Sequence, residues 1–362
     1  MSAITTEQIL NALRAVHDPD LHRDIVSLNF VKDVKIAGND ISFTIELTTP
    51  ACPVKEDLKA QAEKVIRTSF PGVKNVAVTM TASVTQRASV QQAPILTGVK
   101  NTIAVASGKG GVGKSTVAVN LAVALAREGA NVGLIDCDIY GPSIPLMFNI
   151  NEKPRLHNQK LVPLEKYGVK VMSIGFLIDS TQAIIWRGPM ASGAVKQFLT
   201  DVDWGTLDYL VFDLPPGTGD IQLTLVQQIP LSGSVIVTTP QEMSLADARR
   251  GMAMFQKVNV PILGVVENMS YFVSANGDRE NIFDNGGGKR VAEEFKVPFL
   301  GEIPIYTKIR VGGDTGRPIV DSEPTSDPAK IFVTIARNLA AQVSISNVSS
   351  QSAPIEISLS SK

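Results

Sequence analysis

The sequence predicts an α/β protein in which a large domain, built on a parallel sheet, follows a small α+β domain. Short apolar runs without polar alternation recur between residues 98 and 343, with helical patterns between several of them. Such runs are typical of parallel strands that are buried on both faces. Residues 1–82 combine helical patterns with a hairpin. At 362 residues, the chain is also longer than most single cores organise.

The small domain is expected to span residues 1–82. Thr5 and Thr6 are candidate caps of a first helix that ends near His17. The turn formers at 38–40 separate two strand patterns and predict a hairpin. The elements expected after the first helix are strands at 30–36 and 41–47, a helix at 56–68 and a strand at 73–80.

The large domain is expected over residues 98–343, after a polar linker at 83–97. Ser244 is a candidate cap of one of its helices, and Ser326 is a candidate cap of a last helix through about Ala341. The Ser-rich tail, 344–362, lacks packing periodicity and is expected to be disordered. The expected buried strands are 102–106, 132–135, 169–174, 209–212, 234–238, 262–266 and 299–303.

Composition excludes several classes of protein. The formal net charge is -1, which gives no basic excess for nucleic acid or an anionic membrane, so neither is expected as a partner. No signal peptide and no run of about 20 apolar residues is present, and a cytoplasmic location is expected. The two cysteines, Cys52 and Cys137, do not describe a disulfide scaffold.

A glycine-rich loop between a strand pattern and a helix pattern predicts a phosphate-binding site for ATP with Mg²⁺. Its glycines let backbone N–H groups converge on phosphate oxygens. Lys114 is expected to reach the β- and γ-phosphates, and the Ser115 hydroxyl is expected to bind Mg²⁺. An ordinary glycine-rich turn is the alternative. The expected nucleotide-binding residues of the loop are Gly108, Lys109, Gly110, Gly111, Val112, Gly113, Lys114, Ser115 and Thr116.

Three carboxylates follow the ends of predicted strands and are expected near this loop. Asp213 is a candidate Mg²⁺ partner through water, and Asp136 a candidate for supporting Mg²⁺ or the switch geometry. Asp138 is a candidate for positioning or deprotonating the attacking water. Capping of a helix or turn is the alternative, mainly for Asp136 and Asp138.

Lys109, directly after the first glycine, resembles the second lysine of the deviant Walker A loop in SIMIBI-like P-loop NTPases: partitioning, nitrogenase iron-protein and metal-cluster-assembly ATPases. In that group this lysine reaches the nucleotide of a partner subunit. The resemblance implies a catalytic role for Lys109 and Lys114 and a homodimer with ATP between its subunits. A solvated surface charge is the alternative for Lys109.

Further motifs resemble the Mrp/ApbC family of iron–sulfur cluster carrier ATPases. The resemblance implies ATP-dependent binding of clusters, their transfer to recipient apoproteins with assembly factors as further partners, and slow ATP hydrolysis. It also implies that Asn268 reads adenine, with a turn asparagine as the alternative. The motifs are GKGGVGKST, DCDIYGPS (136–143), WRGPM (186–190), DLPPGTGD (213–220) and ENMSYF (267–272), and DPD (18–20) and TTPACP (48–53) resemble the family's small assembly domain.

One feature of the family is missing from this chain. Many members have two cysteines, separated by two residues, shortly after ENMSYF, whereas residues 273–277 contain none. Cys52 is then the main candidate ligand of an iron–sulfur cluster, since a helix N-terminus just after it would favour the thiolate. A buried, inert thiol is the alternative. A partitioning-type or partner-remodelling ATPase without a cluster is the alternative function.

Overall fold

The structure, a computed structural model, describes residues 4–86, 95–139, 141–177, 188–274 and 276–352. Contacts divide these residues into two units. The first unit holds the described residues before 87 together with 344–352, and the second holds those from 95 to 343. Residues 87–94 of the expected linker lie outside the described residues.

The first unit is the expected small α+β domain. Thr5 caps its first helix, because its hydroxyl accepts from the Gln8 N–H while the Gln8 side chain accepts from the Thr5 N–H. Strands β3 and β4 are antiparallel, β4 and β5 are parallel, and their buried side chains pack with those of both helices. The elements are α1 (Thr6–Leu13), β1 (His17–Asp18), β2 (Arg23–Asp24), β3 (Val31–Ala37), β4 (Asp40–Leu47), α2 (Lys55–Ser69) and β5 (Asn75–Ala82).

The second unit begins with a buried strand, and helices alternate with most of its further strands. All the expected strands are present, several of them longer at one or both ends. The strands are β6 (Val99–Ala106), β7 (Val132–Asp136), β8 (Arg155–His157), β9 (Lys160–Val162), β10 (Leu164–Lys166), β11 (Val169–Ser173), β12 (Leu207–Asp213), β13 (Gly233–Thr238), β14 (Ile262–Val273), β15 (Arg279–Glu280) and β16 (Phe299–Ile305).

Helices connect these strands. A 3-10 turn at Ile174–Phe176 follows β11. None of the helices within the described ranges is long and apolar enough to span a bilayer. The helices are α3 (Lys114–Arg127), α4 (Ile144–Phe148), α5 (Gly188–Thr200), α6 (Asp220–Gln228), α7 (Glu242–Lys257), α8 (Gly287–Phe295), α9 (Thr307–Thr315), α10 (Ile319–Ser322) and α11 (Asp327–Ser352).

The central sheet is mostly parallel, as the apolar runs predict. Its strand order is β10-β11-β7-β12-β6-β13-β14-β15, and β16 pairs with β14. Only the pairings of β10 with β11 and of β15 with β14 are antiparallel among the described strands of this sheet. Because the parallel strands end at one edge, the segments after β6, β7 and β12 meet there. The predicted fold class is confirmed.

Two local expectations are wrong. Residues 344–352 are not disordered, because α11 continues to Ser352, with Ser344 and Asn347 buried and the Asn347 amide donating to the Thr85 carbonyl at 2.8 Å. Residues 353–362 lie outside the described residues. Ser244 does not cap α7, which begins at Glu242. Its buried hydroxyl instead lies 3.0 Å from the Thr238 hydroxyl.

Candidate nucleotide-binding site

The glycine-rich loop joins the buried strand β6 to helix α3. Gly111 and Gly113 have φ of +82° and +79°, and Gly113 is the N-cap residue of α3. These left-handed conformations suit glycine and turn backbone N–H groups into a concave surface. The positive end of the α3 dipole lies at the same place. The loop therefore has the backbone geometry that binds phosphate groups at helix N-termini.

The packing of the loop explains two of its glycines. A Cβ on Gly108 would lie 2.2 Å from the backbone carbonyl carbon of Asp247 in α7, so helix and loop are in direct backbone contact. A Cβ on Gly113 would lie 2.2 Å from the Asn268 amide nitrogen. Close approach of neighbouring elements thus requires both glycines, and positive φ is a second requirement at Gly113.

Lys114 forms a buried ion pair with Asp213. Its Nζ lies 2.5 Å from Asp213 Oδ1, and the two side chains are only 6% and 0% exposed. The same Nζ also donates to the Ser115 hydroxyl at 3.3 Å. Asp213 ends β12 and Lys114 begins α3, so the pair joins the loop to the carboxyl edge of the sheet. The ion pair therefore fixes the position of the Lys114 ammonium group in this structure.

Asp136 lies beside Asp213, because the two are register partners at the ends of β7 and β12. Asp136 is fully buried, and its oxygens accept from the N–H groups of Asp138 and Ile144 and from the Ser173 hydroxyl. Burial, and then the negative charge of Asp213, raise the pKa of Asp136 to about 8. The contacts of Asp136 fix the segment after β7, as a switch role requires.

The Asp213 carboxylate can bind a cation in addition to Lys114. The neighbouring Asp136 adds little negative charge at neutral pH, because its pKa is raised to about 8. Asp213 Oδ2 is buried without a hydrogen-bond partner among the described residues. A buried carboxylate oxygen needs a partner, and a hydrated divalent cation supplies one. The donor set of Asp213 and the Ser115 hydroxyl therefore fits Mg²⁺.

Asp138 and Lys109 lie at the same edge and are both half-buried. Asp138 follows β7 by two residues, and its N–H donates to Asp136. Lys109 is held through its carbonyl, which accepts from the Ser107 hydroxyl at 2.9 Å. In the described part of the chain no carboxylate pairs with the Lys109 ammonium group. They follow β6 and β7, which end at the same edge of the sheet with β12 between them.

Asn268 contacts the loop directly. It lies in β14, is 7% exposed, and its Nδ2 donates to the Val112 carbonyl at 2.8 Å. The next residue, Met269, has φ of +55°, and the register of β14 against β16 shifts between Asn268 and Phe272. This irregularity turns the amide toward the loop. Asn268 therefore supports the phosphate loop in this structure.

Glu267 is a structural residue that the sequence analysis did not find. It is fully buried, and its carboxylate accepts from the N–H groups of Gly286 and Gly288 at the start of α8 and from the Ser270 hydroxyl. A carboxylate at a helix N-terminus stabilises the helix. It also anchors β14 next to Asn268. The glycine run at 286–288 was the available signal, since glycines allow such an approach.

Cys52 lies in the first unit, ahead of α2, and its surroundings oppose the thiolate. Burial is the main cause that raises the pKa of the Cys52 thiol to about 11; the Val54 backbone N–H opposes it, and the carboxylates of Asp18 and Asp20 add to it. The expectation that the α2 N-terminus favours the thiolate is therefore wrong, since burial dominates. The structure does bring the DPD and TTPACP motifs together. Burial also raises the pKa of the Cys137 thiol, and the negative charge of Asp136 is the second cause.

The segment that stands in place of the expected cysteine pair lies between β14 and β15, and residue 275 lies outside the described residues. Strands β14 and β15 are antiparallel there, with Val273 opposite Arg279. The Ser274 N–H donates to the Asp278 carbonyl at 2.9 Å. Across the described ranges no group of three or more His, Cys, Asp and Glu residues is arranged to hold a metal ion.

The fold and the site together define the class of this protein. A mostly parallel sheet carries a phosphate loop at the N-terminus of a helix, with a strand-end carboxylate on the loop lysine. This is the arrangement of P-loop nucleoside triphosphatases, which hydrolyse nucleotides.

Comparison with known proteins gives the family. The family model for the NUBPL iron-transfer P-loop NTPase matches residues 98–340. A model for iron–sulfur cluster assembly protein matches residues 6–80. The chain belongs to the iron-transfer P-loop NTPase family. The iron–sulfur cluster carrier protein of Synechocystis sp. is 51% identical over 349 residues, which cover 94% of this chain and 99% of that protein.

Two solved structures share the fold. A nucleotide-binding protein of Archaeoglobus fulgidus in complex with ADP is 40% identical, with a TM-score of 0.57, covering 65% of this chain and 93% of that one. The cell division ATPase MinD of Pyrococcus furiosus is 24% identical, with a TM-score of 0.51, covering 66% and 98%. The second likeness concerns the fold alone. It does not distinguish a carrier from a partitioning ATPase.

Proposed function

We propose that this chain is an ATP-dependent carrier that binds iron–sulfur clusters and transfers them to apoproteins. The observation that carries the proposal is the presence in one chain of a complete phosphate loop, with its buried Lys114–Asp213 pair, and an assembly-type unit that contains Cys52. The Synechocystis relative is named an iron–sulfur cluster carrier protein and is similar over both units.

The nucleotide is ATP with Mg²⁺ under this proposal. Backbone N–H groups of residues 108–116 bind the phosphates, and Lys114 neutralises charge on the β- and γ-phosphates. Ser115 binds Mg²⁺ directly and Asp213 holds it through water, which gives Asp213 Oδ2 the partner that it lacks. We propose that Asp136 holds the segment after β7 in place and does not bind the metal, because its oxygens already accept three hydrogen bonds.

The side-chain oxygen of Asn268, Oδ1, contributes to binding of the adenine base under this proposal. Its Nδ2 is committed to the Val112 carbonyl. Its Oδ1 is an acceptor of the kind that the adenine amino group requires.

Hydrolysis requires a positioned water and a second cation near the transferred phosphate. Asp138 is the proposed base for the water, since it follows the end of β7 at the loop edge. Lys109 acts on the nucleotide of a partner subunit in a homodimer, and the absence of a carboxylate partner for it within the described residues supports this role. Slow turnover is part of the proposal, as the family resemblance implies.

Measurements of the hydrolysis rate can distinguish the role of Lys109 from that of Lys114. Lys109→Ala should lower hydrolysis while retaining nucleotide binding, and mixing it with a Lys114→Ala variant should restore part of the activity in heterodimers. Lys114→Ala alone should lose roughly 10²–10³-fold in turnover. A Lys109→Ala rate equal to wild type, or a wild-type rate per subunit that does not depend on protein concentration, contradicts the dimer role.

The cargo is tested by anaerobic reconstitution with ferrous iron and sulfide, followed by transfer to an apoferredoxin. The wild type should develop the visible absorbance of a cluster and activate the acceptor. Cys52→Ser should lose most of this absorbance, whereas Cys137→Ser, the matched control, should retain it. Absence of a cluster in the wild type contradicts the carrier function, and an unchanged cluster in Cys52→Ser contradicts the ligand.

A further inference from the structure

A small hairpin in the second unit has no role in the nucleotide site. Strands β8 and β9 form a separate two-stranded sheet, connected by Asn158 and Gln159, which both have positive φ. Such a two-residue turn matches the twist of the flanking strands. The chain continues from β9 into β10, the edge of the central sheet. That edge lies four strand spacings from β6, roughly 19 Å from the strand that precedes the phosphate loop.

The two long edges of this hairpin differ. The edge of β9 is occupied, because the Leu161 N–H donates to the Asp201 carbonyl and the Asp203 N–H donates to the Leu161 carbonyl, each at 2.8 Å. Leu156 lies directly opposite Leu161. In an antiparallel pair, opposite residues either bond to each other or both turn their backbone groups outward. The N–H and C=O of Leu156 therefore point to the outer edge of β8.

This outer edge is exposed and apolar at its centre. No strand pairs with it within the described ranges, and the Leu156 side chain is 72% exposed. A cavity of about 680 Å³ lies against the hairpin, with Leu156, Val162, Pro163 and Leu164 in its lining. An unpaired strand edge offers a row of donors and acceptors to an extended chain, and a neighbouring apolar cavity accepts its side chains.

The hairpin itself is positively charged. Residues 153–162 contain Lys153, Arg155 and Lys160 and no Asp or Glu. The neighbouring carboxylates are Glu152, which also lines the cavity, and Asp201 and Asp203 beside the opposite edge, at β9. All three cations are exposed, and none pairs with a carboxylate in the described part of the chain. Basic residues at a strand edge discourage pairing with like-charged or neutral chains and favour an acidic one.

We infer that the β8 edge is a docking site for an extended acidic segment of a partner protein, which adds a strand to the hairpin. Apolar residues of the segment face Leu156 and the cavity, and its alternate carboxylates face Arg155 and Lys160. Nucleic acid is the less suitable occupant, because residues 151–166 contain no Phe, Tyr or Trp for base stacking, and neither a duplex nor a membrane uses the backbone groups of an edge strand.

The test uses the full chain and a fluorescent ten-residue peptide that alternates glutamate and valine, followed by anisotropy at 50 mM salt. The wild type should bind this peptide, and a matched lysine–valine peptide should not bind. The double variant Arg155→Glu/Lys160→Glu should weaken binding by at least about tenfold, and Leu156→Ser should weaken it severalfold at unchanged charge. Binding should also fall as salt is raised to 200 mM.

The matched control is Lys257→Glu/Lys289→Glu, which makes the same charge change at two exposed lysines outside the hairpin. It should bind like the wild type. ATP hydrolysis and cluster loading should be unchanged in every hairpin variant. A failure of the docking inference can therefore be distinguished from a failure of the proposed carrier function. No binding of the acidic peptide, equal loss in the control, preference for duplex DNA or anionic vesicles, or a hairpin-dependent self-association would each overturn the inference.

Discussion

Replacing Lys114 by methionine tests the reasoning about the buried pair in the nucleotide-free protein. Methionine keeps an apolar stem but leaves the Asp213 carboxylate, fully buried, without its cation and beside Asp136. Breaking a buried pair in this way costs about 3–5 kcal/mol of the free energy of unfolding. For a unit of this size, the midpoint of urea unfolding should fall by roughly 1 M or more.

The loss should depend on pH in a defined direction. Burial and the charge of Asp213 raise the pKa of Asp136 to about 8 while Lys114 lowers it, so removal of the ammonium group raises this folded pKa further. Both proteins hold the Asp136 carboxyl protonated at low pH, and the variant loses additional stability as the pH rises through about 8. The difference between variant and wild type should therefore be larger at pH 8 than at pH 5.

Tryptophan fluorescence follows this unfolding, because Trp204 is buried in the second unit. The double variant Lys114→Met/Asp213→Asn should recover most of the loss, since no unpaired charge remains. Lys289→Met, at an exposed lysine, is the control and should change the midpoint little. A Lys114→Met midpoint equal to wild type at pH 8 would refute the reasoning.

Three further predictions concern other groups. Cys52 should react with iodoacetamide about 100-fold more slowly at pH 7.5 than an ordinary thiol, and the rate should rise about tenfold per pH unit until about pH 11. Glu267→Gln should cost about 1–3 kcal/mol in urea unfolding, because the start of α8 loses its charged acceptor. Gly113→Ala should weaken ATP binding in a calorimetric titration by at least about tenfold, because its Cβ meets Asn268, whereas Gly72→Ala should not.

Each of these has its own control or contrary outcome. Cys137 is 1% exposed and should remain unmodified in the folded chain, so rapid labelling of two thiols would mean that the protein opens. Glu267→Gln should leave the first unit unaffected. Retention of wild-type stability in that variant contradicts the anchoring role. Equal ATP affinity in Gly113→Ala contradicts the close contact between the loop and β14.

The sequence was informative wherever a pattern is local. The spacing from Gly108 to Ser115 predicts a phosphate loop because the backbone geometry needs glycine at fixed positions. The apolar runs predict buried strands because their burial leaves no polar alternation. The sequence was less informative for α11, whose last residues are mostly Ser, Asn and Val, weak helix formers, and are held by a buried face that includes Asn347.

By itself, then, the sequence determined the fold class, the loop and the strand-end carboxylates, since all depend on short stretches of chain. The tertiary structure decided which groups meet. It placed Lys114 on Asp213, Asn268 on the loop and Asp18 near Cys52, contacts that join segments distant in sequence. It also decided the state of the Cys52 thiol, because a pKa depends on burial and neighbouring charge, which no local pattern contains.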